Sequence, residues 1–271
     1  MEVAGGLRSM PSNMADEGRL LACLVDGMAN APVSTALASL ALESALPVRA
    51  FFSWPGKRNY EGVWWSSTTR SHVGFESLLE REFLMSADYD RDLVGVASQP
   101  FAFLWPRGTE GGRWHVPDFF VRLRDGGGRV VDVKHPDRVG SAERQFGLTR
   151  EACEAAGWEY ELFTGLGEPR GSNLRWLAGY RQDRFAPDDT AAAVLVDSFV
   201  PESSLSSGVR RAARTLRVDD GIVRAHVLHL LFSGVLAVDL DRPLSQDSVV
   251  SPCQALTVGP AWGAGVSEVA S

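Results

Sequence analysis

Asp125-Gly126-Gly127-Gly128 constrains this chain more than any other segment. Four turn formers in a row separate two runs of strand-forming residues, His115 to Arg124 and Arg129 to Val133. A break of this kind is a hairpin signal, because glycine reaches backbone conformations that a tight reversal needs. The two runs must then be antiparallel neighbours. Folding back at the turn brings Pro117-Asp118 toward Asp132-Val133-Lys134, without requiring exact register. Strand alternation puts Asp132 and Lys134 on one face and turns Val133 into the core.

Elements on either side extend the pattern. Phe75, Leu78, Leu79 and Phe83 recur at helical spacing, which predicts a helix over Phe75 to Leu84 carrying Glu76 and Glu80 on one flank. Leu93 to Ala97 and Phe101 to Trp105 read as strands separated by Ser98-Gln99-Pro100. Ser141 to Gly157 reads as a helix stopped by Gly157, and Trp158 to Phe163 as a returning strand. Before these, the aromatic run Phe51, Phe52, Trp54, Tyr60, Trp64 and Trp65, broken by Pro55-Gly56 and Gly62, predicts a short hairpin opening the folded domain.

Four segments follow from this texture. Residues 1–48, small and polar with one weakly amphipathic run, read as an N-terminal extension lacking fixed structure. Residues 49–164 form the main domain. A turn-rich stretch from Gly165 to Asn173 marks a boundary, and residues 172–250 read as a mostly helical module. In it Val209 to Leu216 is basic, Val223 to Phe232 is apolar at helical spacing, and Gly234 to Leu240 resembles a small wing strand. Residues 251–271, short of charge and rich in Gly, Ala, Ser and Pro, have the composition of a mobile tail.

The acidic residues near the hairpin suggest phosphodiester hydrolysis. That reaction needs a cation at the phosphate and an activated water. Asp118 and Asp132 could hold the ion, with the Val133 carbonyl as a further ligand and Glu76 as another ligand or the organiser of a second ion. Magnesium, with manganese as a substitute, suits an all-oxygen set. Lysine occurs only as Lys57 and Lys134 among 27 basic residues, and Lys134 is placed to orient the attacking water as a compact ammonium or to deprotonate it as the neutral amine. Glu80 reads as a solvated helix-face charge, with a second ligand as the alternative. His72 and His115 flank the site in sequence and read as structural or surface residues, with contact to phosphate as the alternative, and His226 and His229 read as packing residues.

Composition excludes several classes. The 45% hydrophobic content of 271 residues supports a sizeable core. Cys23, Cys153 and Cys253 have no paired close spacing, so neither a disulfide framework nor a zinc ribbon is signalled, and a reducing cytoplasm fits. A net charge of −7 speaks against coating nucleic acid by bulk electrostatics, though Arg210, Arg211, Arg214 and Arg217 form a local run that could track a DNA backbone or face solvent. No apolar run is long enough to span a bilayer, and no export signal is read at the start.

The order helix, three strands, helix, strand over Phe75 to Phe163, with this acidic set, resembles the PD-(D/E)xK nuclease superfamily. Within it, His72-Val73-Gly74-Phe75-Glu76-Ser77-Leu78-Leu79-Glu80, Ser98-Gln99-Pro100, His115-Val116-Pro117-Asp118-Phe119-Phe120 and Asp132-Val133-Lys134 are similar to TnsA-like endonuclease subunits of heteromeric transposases. The resemblance covers residues 49 to 164 strongly and the C-terminal part weakly. It implies an α/β fold with a restriction-endonuclease-like core, a mixed sheet flanked by helices, and a winged-helix-like C-terminal module. It further implies a magnesium-dependent enzyme that cuts the 5′ ends of a mobile element in double-stranded DNA. A DDE-type transposase subunit and an AAA+ ATPase regulator would be its partners, and the resemblance implies that the C-terminal part contacts the regulator, so that this module would bind protein and not DNA. Glu76, Asp118 and Lys134 match the family's catalytic triad, while Asp132 stands where that family can carry glutamine. A stand-alone restriction or repair nuclease and a non-catalytic regulator are the alternatives.

Overall fold

The computed structural model describes residues 9–49, 60–110 and 112–253. Leu20 and Ala22, alternate residues of Arg19–Leu24 (β1), have no exposed surface. This strand pairs antiparallel with Gly27–Pro32 (β2), so the segment expected to be an extension is part of the first folded unit. The expectation failed because the strand's partner in the core, Phe101–Leu104, lies some eighty residues on, and no local signal marks that pairing. Gly62–Ser66 (β3) and Ser71–Phe75 (β4) form a hairpin held to the following helix by Asp88, which accepts from Ser66 Oγ at 2.9 Å and from the Thr68 amide at 2.9 Å. The earlier part of the expected aromatic hairpin, residues 50–59, lies outside the described residues.

Leu78–Tyr89 (α1) starts later than its periodicity predicts. Ser77 is in extended backbone and takes the N-cap, its hydroxyl accepting from the Glu80 amide, so Glu76 stands before the helix and not on it. Leu93–Ser98 (β5), Phe101–Leu104 (β6), Trp114–His115 (β7), Phe119–Leu123 (β8), Gly128–Val133 (β9), Glu143–Ala156 (α2) and Glu159–Phe163 (β10) follow. The expected single strand from His115 to Arg124 is in fact two, β7 and β8. Pro117 lies at the break and has no amide proton to donate to a ladder. Turn and stop glycines behave as read: Gly126 has φ +90° between β8 and β9, and Gly157 has φ +73° at the end of α2.

Two four-stranded sheets result, ordered β2-β1-β6-β7 and β10-β9-β8-β5. In the second, β5, β8 and β9 run antiparallel and β10 joins parallel to β9 across α2. Its two faces are both buried. Phe119, Val121 and Val131 pack with Phe83, Leu84 and Ala87 of α1. Phe120 and Val130 pack with Cys153 and Ala156 of α2 and with Leu20, Phe101 and Phe103 of the first sheet. Burial on both faces accounts for the runs Phe119-Phe120-Val121 and Val130-Val131, which alternate little.

The chain divides into two compact units, Met1–Gly171 and Ser172–Ser271. Around the division lies Arg170–Leu177 (α3). The second unit continues with Asp189–Asp197 (α4), Ser203–Ser204 (β11), Leu205–Leu216 (α5), Asp220–Phe232 (α6), Leu236–Val238 (β12) and Val249–Pro252 (β13). Its three strands form a sheet ordered β11-β13-β12, so Ser251 and Pro252, expected in the tail, belong to a strand, and residues 254–271 lie outside the described residues. His226 and His229 are packing residues, their Nδ1 atoms 2.8 Å from the carbonyls of Phe185 and Tyr180. The described residues thus form a mixed α/β structure with several sheets and six α-helices, none long and apolar enough to cross a membrane.

Candidate active site

The chain leaves the second sheet at the end of β5 and enters the first at the start of β6, and Gln99 makes the turn. Its φ of +49° is a left-handed conformation that glycine or asparagine usually supplies. Three bonds hold it. Its amide donates to the Asp118 carbonyl at 2.9 Å, its carbonyl accepts from the Val48 amide at 2.9 Å, and its side-chain Nε2 donates to Glu76 at 3.2 Å. Gln99 is 1% exposed, yet its amide oxygen and the neighbouring Ser98 hydroxyl have no partner among the described residues. Buried polar atoms are rarely left so, and they cluster where something else binds.

Glu76 is therefore fixed by Gln99 and by Arg49, whose guanidinium donates to the same oxygen at 2.6 Å. Beside it, Glu80 is buried and does not face solvent, contrary to the expectation from helix spacing. Its carboxylate turns back to the helix start, accepting from the Glu76 amide at 2.7 Å and the Ser77 hydroxyl at 2.8 Å. That is a capping box shifted by one residue, and it explains the burial. Burial pushes the Glu80 carboxyl above its ordinary range, against the pull of those two bonds.

Across the hairpin, the register Phe119 with Val131 is carried one step further by the Val133 amide, which donates to Asp118 Oδ2 at 2.7 Å. This bond joins Pro117-Asp118 to Asp132-Val133-Lys134 as the turn predicts. The Asp118 carboxyl is raised well above its ordinary range, first by burial and then by the charges of Asp132 and Glu80, with the Val133 amide and Arg49 acting oppositely.

Asp132, 2% exposed, is engaged on both oxygens. His115 Nε2 lies 2.8 and 3.0 Å from them, and the Tyr160 hydroxyl donates to Oδ2 at 2.8 Å. His115 comes from the first sheet and Tyr160 from the second, so Asp132 lies between them. Burial, followed by the charge of Asp132, pushes the Tyr160 phenol far up and keeps it a hydrogen-bond donor. Val133 packs half-buried against the α1 side of the core, as alternation requires. Lys134 is half-buried and its amide donates to the Phe163 carbonyl at 2.9 Å. Its ammonium is not among the charges bearing most on Asp118.

Glu76, Asp118 and Asp132 are thus gathered into one neighbourhood with Glu80, Arg49 and Gln99, while Lys134 is tied in through the backbone of Val133. Among the described residues, no group of three or more His, Cys, Asp or Glu side chains is set to hold a metal ion. Arg49 and Tyr160 were not legible as site residues, and His115, which flanks the site in sequence, was not legible as the partner of Asp132. Arg49 lies in an aromatic run read for strands, and His115 and Tyr160 meet Asp132 only through pairing between elements. Gln99 had a signal in the Ser98-Gln99-Pro100 motif. No protein-family model matches the chain, and no curated protein does.

Proposed function

We propose that this chain is a magnesium-dependent endodeoxyribonuclease, the subunit of a heteromeric transposase that cuts the 5′ ends of a mobile element. The observation that carries the reading is the Val133–Asp118 bond, which joins the two halves of the acidic pattern at the mouth of a strand pair. The order α1, β5, β8, β9, α2, β10 around one mixed sheet supports a restriction-endonuclease-like core. In the second unit, helices α4 to α6 followed by the β12–β13 hairpin support a winged-helix-like module.

The test of metal fit is electrostatic. Asp132 and Glu80 bear on Asp118, and Glu76 bears on Glu80, with Arg49 opposing both, so these carboxylates repel one another and the Asp118 carboxyl is raised well above its ordinary range by burial and by its acidic neighbours. A hard cation would relieve that repulsion, and magnesium, which keeps several of its waters, needs only one or two of these carboxylates and not the cluster of three that the described residues lack. Asp118 and Glu76 would hold the ion, with Asp132 and the Val133 carbonyl beside them. When bound, it would neutralise charge on the scissile phosphate. Gln99 and Arg49 orient Glu76, the Val133 amide orients Asp118, and Lys134 orients or deprotonates the attacking water.

A non-catalytic regulator is the second reading, favoured by Asp132, whose oxygens are already committed to His115 and Tyr160. Nicking of supercoiled DNA with magnesium or manganese separates the two. Wild type should nick, and Asp118→Ala and Lys134→Ala should each lose at least about 100-fold, the usual scale for removing an acid–base or charge-stabilising group. Nicking that depends on added transposase and ATPase partners supports the subunit assignment. Vigorous cleavage alone indicates a stand-alone nuclease, and silence of wild type under all conditions indicates the regulator.

A further inference from the structure

Helix α5 is the most sharply divided surface of the second unit. Leu205, Val209, Ala212 and Ala213 are buried, packing it onto α4 and α6, while Arg210, Arg214 and Arg217 are exposed and Arg211 is half-exposed. Positions 210, 214 and 217 are four and three apart, so they form one stripe about 10 Å long. Between Glu202 and Asp219 the sequence has no acidic residue, in a chain with 34 of them. No arginine of the four makes an ion pair among the described residues. The nearest following acid, Asp219, uses its carboxylate to cap α6 through the Gly221 amide at 2.7 Å.

A second observation comes from the end of the helix. Arg217 occupies the C-cap with φ +57°, where glycine is the usual residue because it has no Cβ to clash in that conformation. An arginine stands here in a backbone state that disfavours it. Its charge complements the helix dipole, but it also extends the stripe past the last turn.

We propose that this stripe binds the phosphate backbone of duplex DNA. A stripe about 10 Å long that carries three guanidinium groups is long enough to reach more than one phosphate of a strand. Guanidinium forks suit phosphate, and a surface built from arginine and Thr215 without an aromatic anchor fits backbone positioning better than a protein interface. A bilayer surface is a poor match, since the apolar face of α5 is already buried. This inference rests on the DNA-acting reading above and assigns DNA binding to the second unit.

The test is binding of a fluorescent duplex of about 20 base pairs and arbitrary sequence to the full chain without divalent metal, titrated with salt. The variants are the triple change Arg210→Gln, Arg214→Gln, Arg217→Gln, its all-lysine counterpart, and Arg217→Gly. The triple glutamine chain should bind about tenfold or more weakly, with a salt dependence shallower by about 0.9 for each phosphate no longer neutralised. The lysine chain should keep the slope. Arg217→Gly should raise the melting temperature and still weaken binding, which a structural role for Arg217 would not produce. An unchanged slope in the glutamine chain, absence of duplex binding by wild type at low salt, or equal binding of polyglutamate overturns the proposal. Because the assay needs no cleavage, weakened binding in the variants with no nicking by wild type sinks the nuclease reading alone. Nicking with unaltered binding in the variants sinks this one alone.

Discussion

Asp118 carries the clearest electrostatic consequence at the residue scale. Burial and the charges of Asp132 and Glu80 raise its pKa, so the unfolded chain releases this proton at lower pH than the folded one. Its contribution to stability is therefore intact below the ordinary carboxyl range and is lost as pH rises toward the raised value. Asp118→Asn keeps an acceptor for the Val133 amide and removes the titration. In chelator, the variant should melt above wild type, and the gap should widen from acid to neutral pH, at about 2–4 °C per kcal/mol for a chain of this size. Magnesium should close the gap by stabilising wild type only. A gap that stays constant with pH would show that the Asp118 carboxyl titrates alike in both states.

Elements were legible where their signals are local. The turn at Asp125 to Gly128, the stop at Gly157 and the apolar rows of α1 and α2 each lie within a few residues of what they determine. The start of α1 was misplaced because Phe75 fits the helical row while belonging to β4, and Ser77 caps after it. Strands β1 and β2 and the partners of Asp132 were not legible, since each depends on residues far apart in sequence that the backbone brings together. Close packing is equally hidden in the sequence. Gly208 in α5 lies against the Phe199 ring, where an added Cβ would collide with ring carbons. Gly208→Ala, favourable for an isolated helix, should instead cost about 1–3 kcal/mol through overpacking. A urea titration measures this, and a stabilised variant would show that Phe199 moves freely aside.

At the scale of the whole molecule, the first unit needs its N-terminal strands. A chain begun at Arg49 would expose the faces of Phe101 and Phe103 that Leu20 and Ala22 cover. It should aggregate or unfold without cooperativity, as followed by light scattering and thermal melting. A soluble, cooperative product would show that β6 and β7 stand without β1. Tyr160 lies late in this unit, on the strand that closes the sheet, and His115 reaches Asp132 from the other sheet. During synthesis the amino-terminal part emerges first. A half-made polypeptide that has produced Glu76, Asp118, Asp132 and His115 still lacks the phenol that donates to Asp132, so Asp132 gains its second side-chain partner only after β10 has left the ribosome.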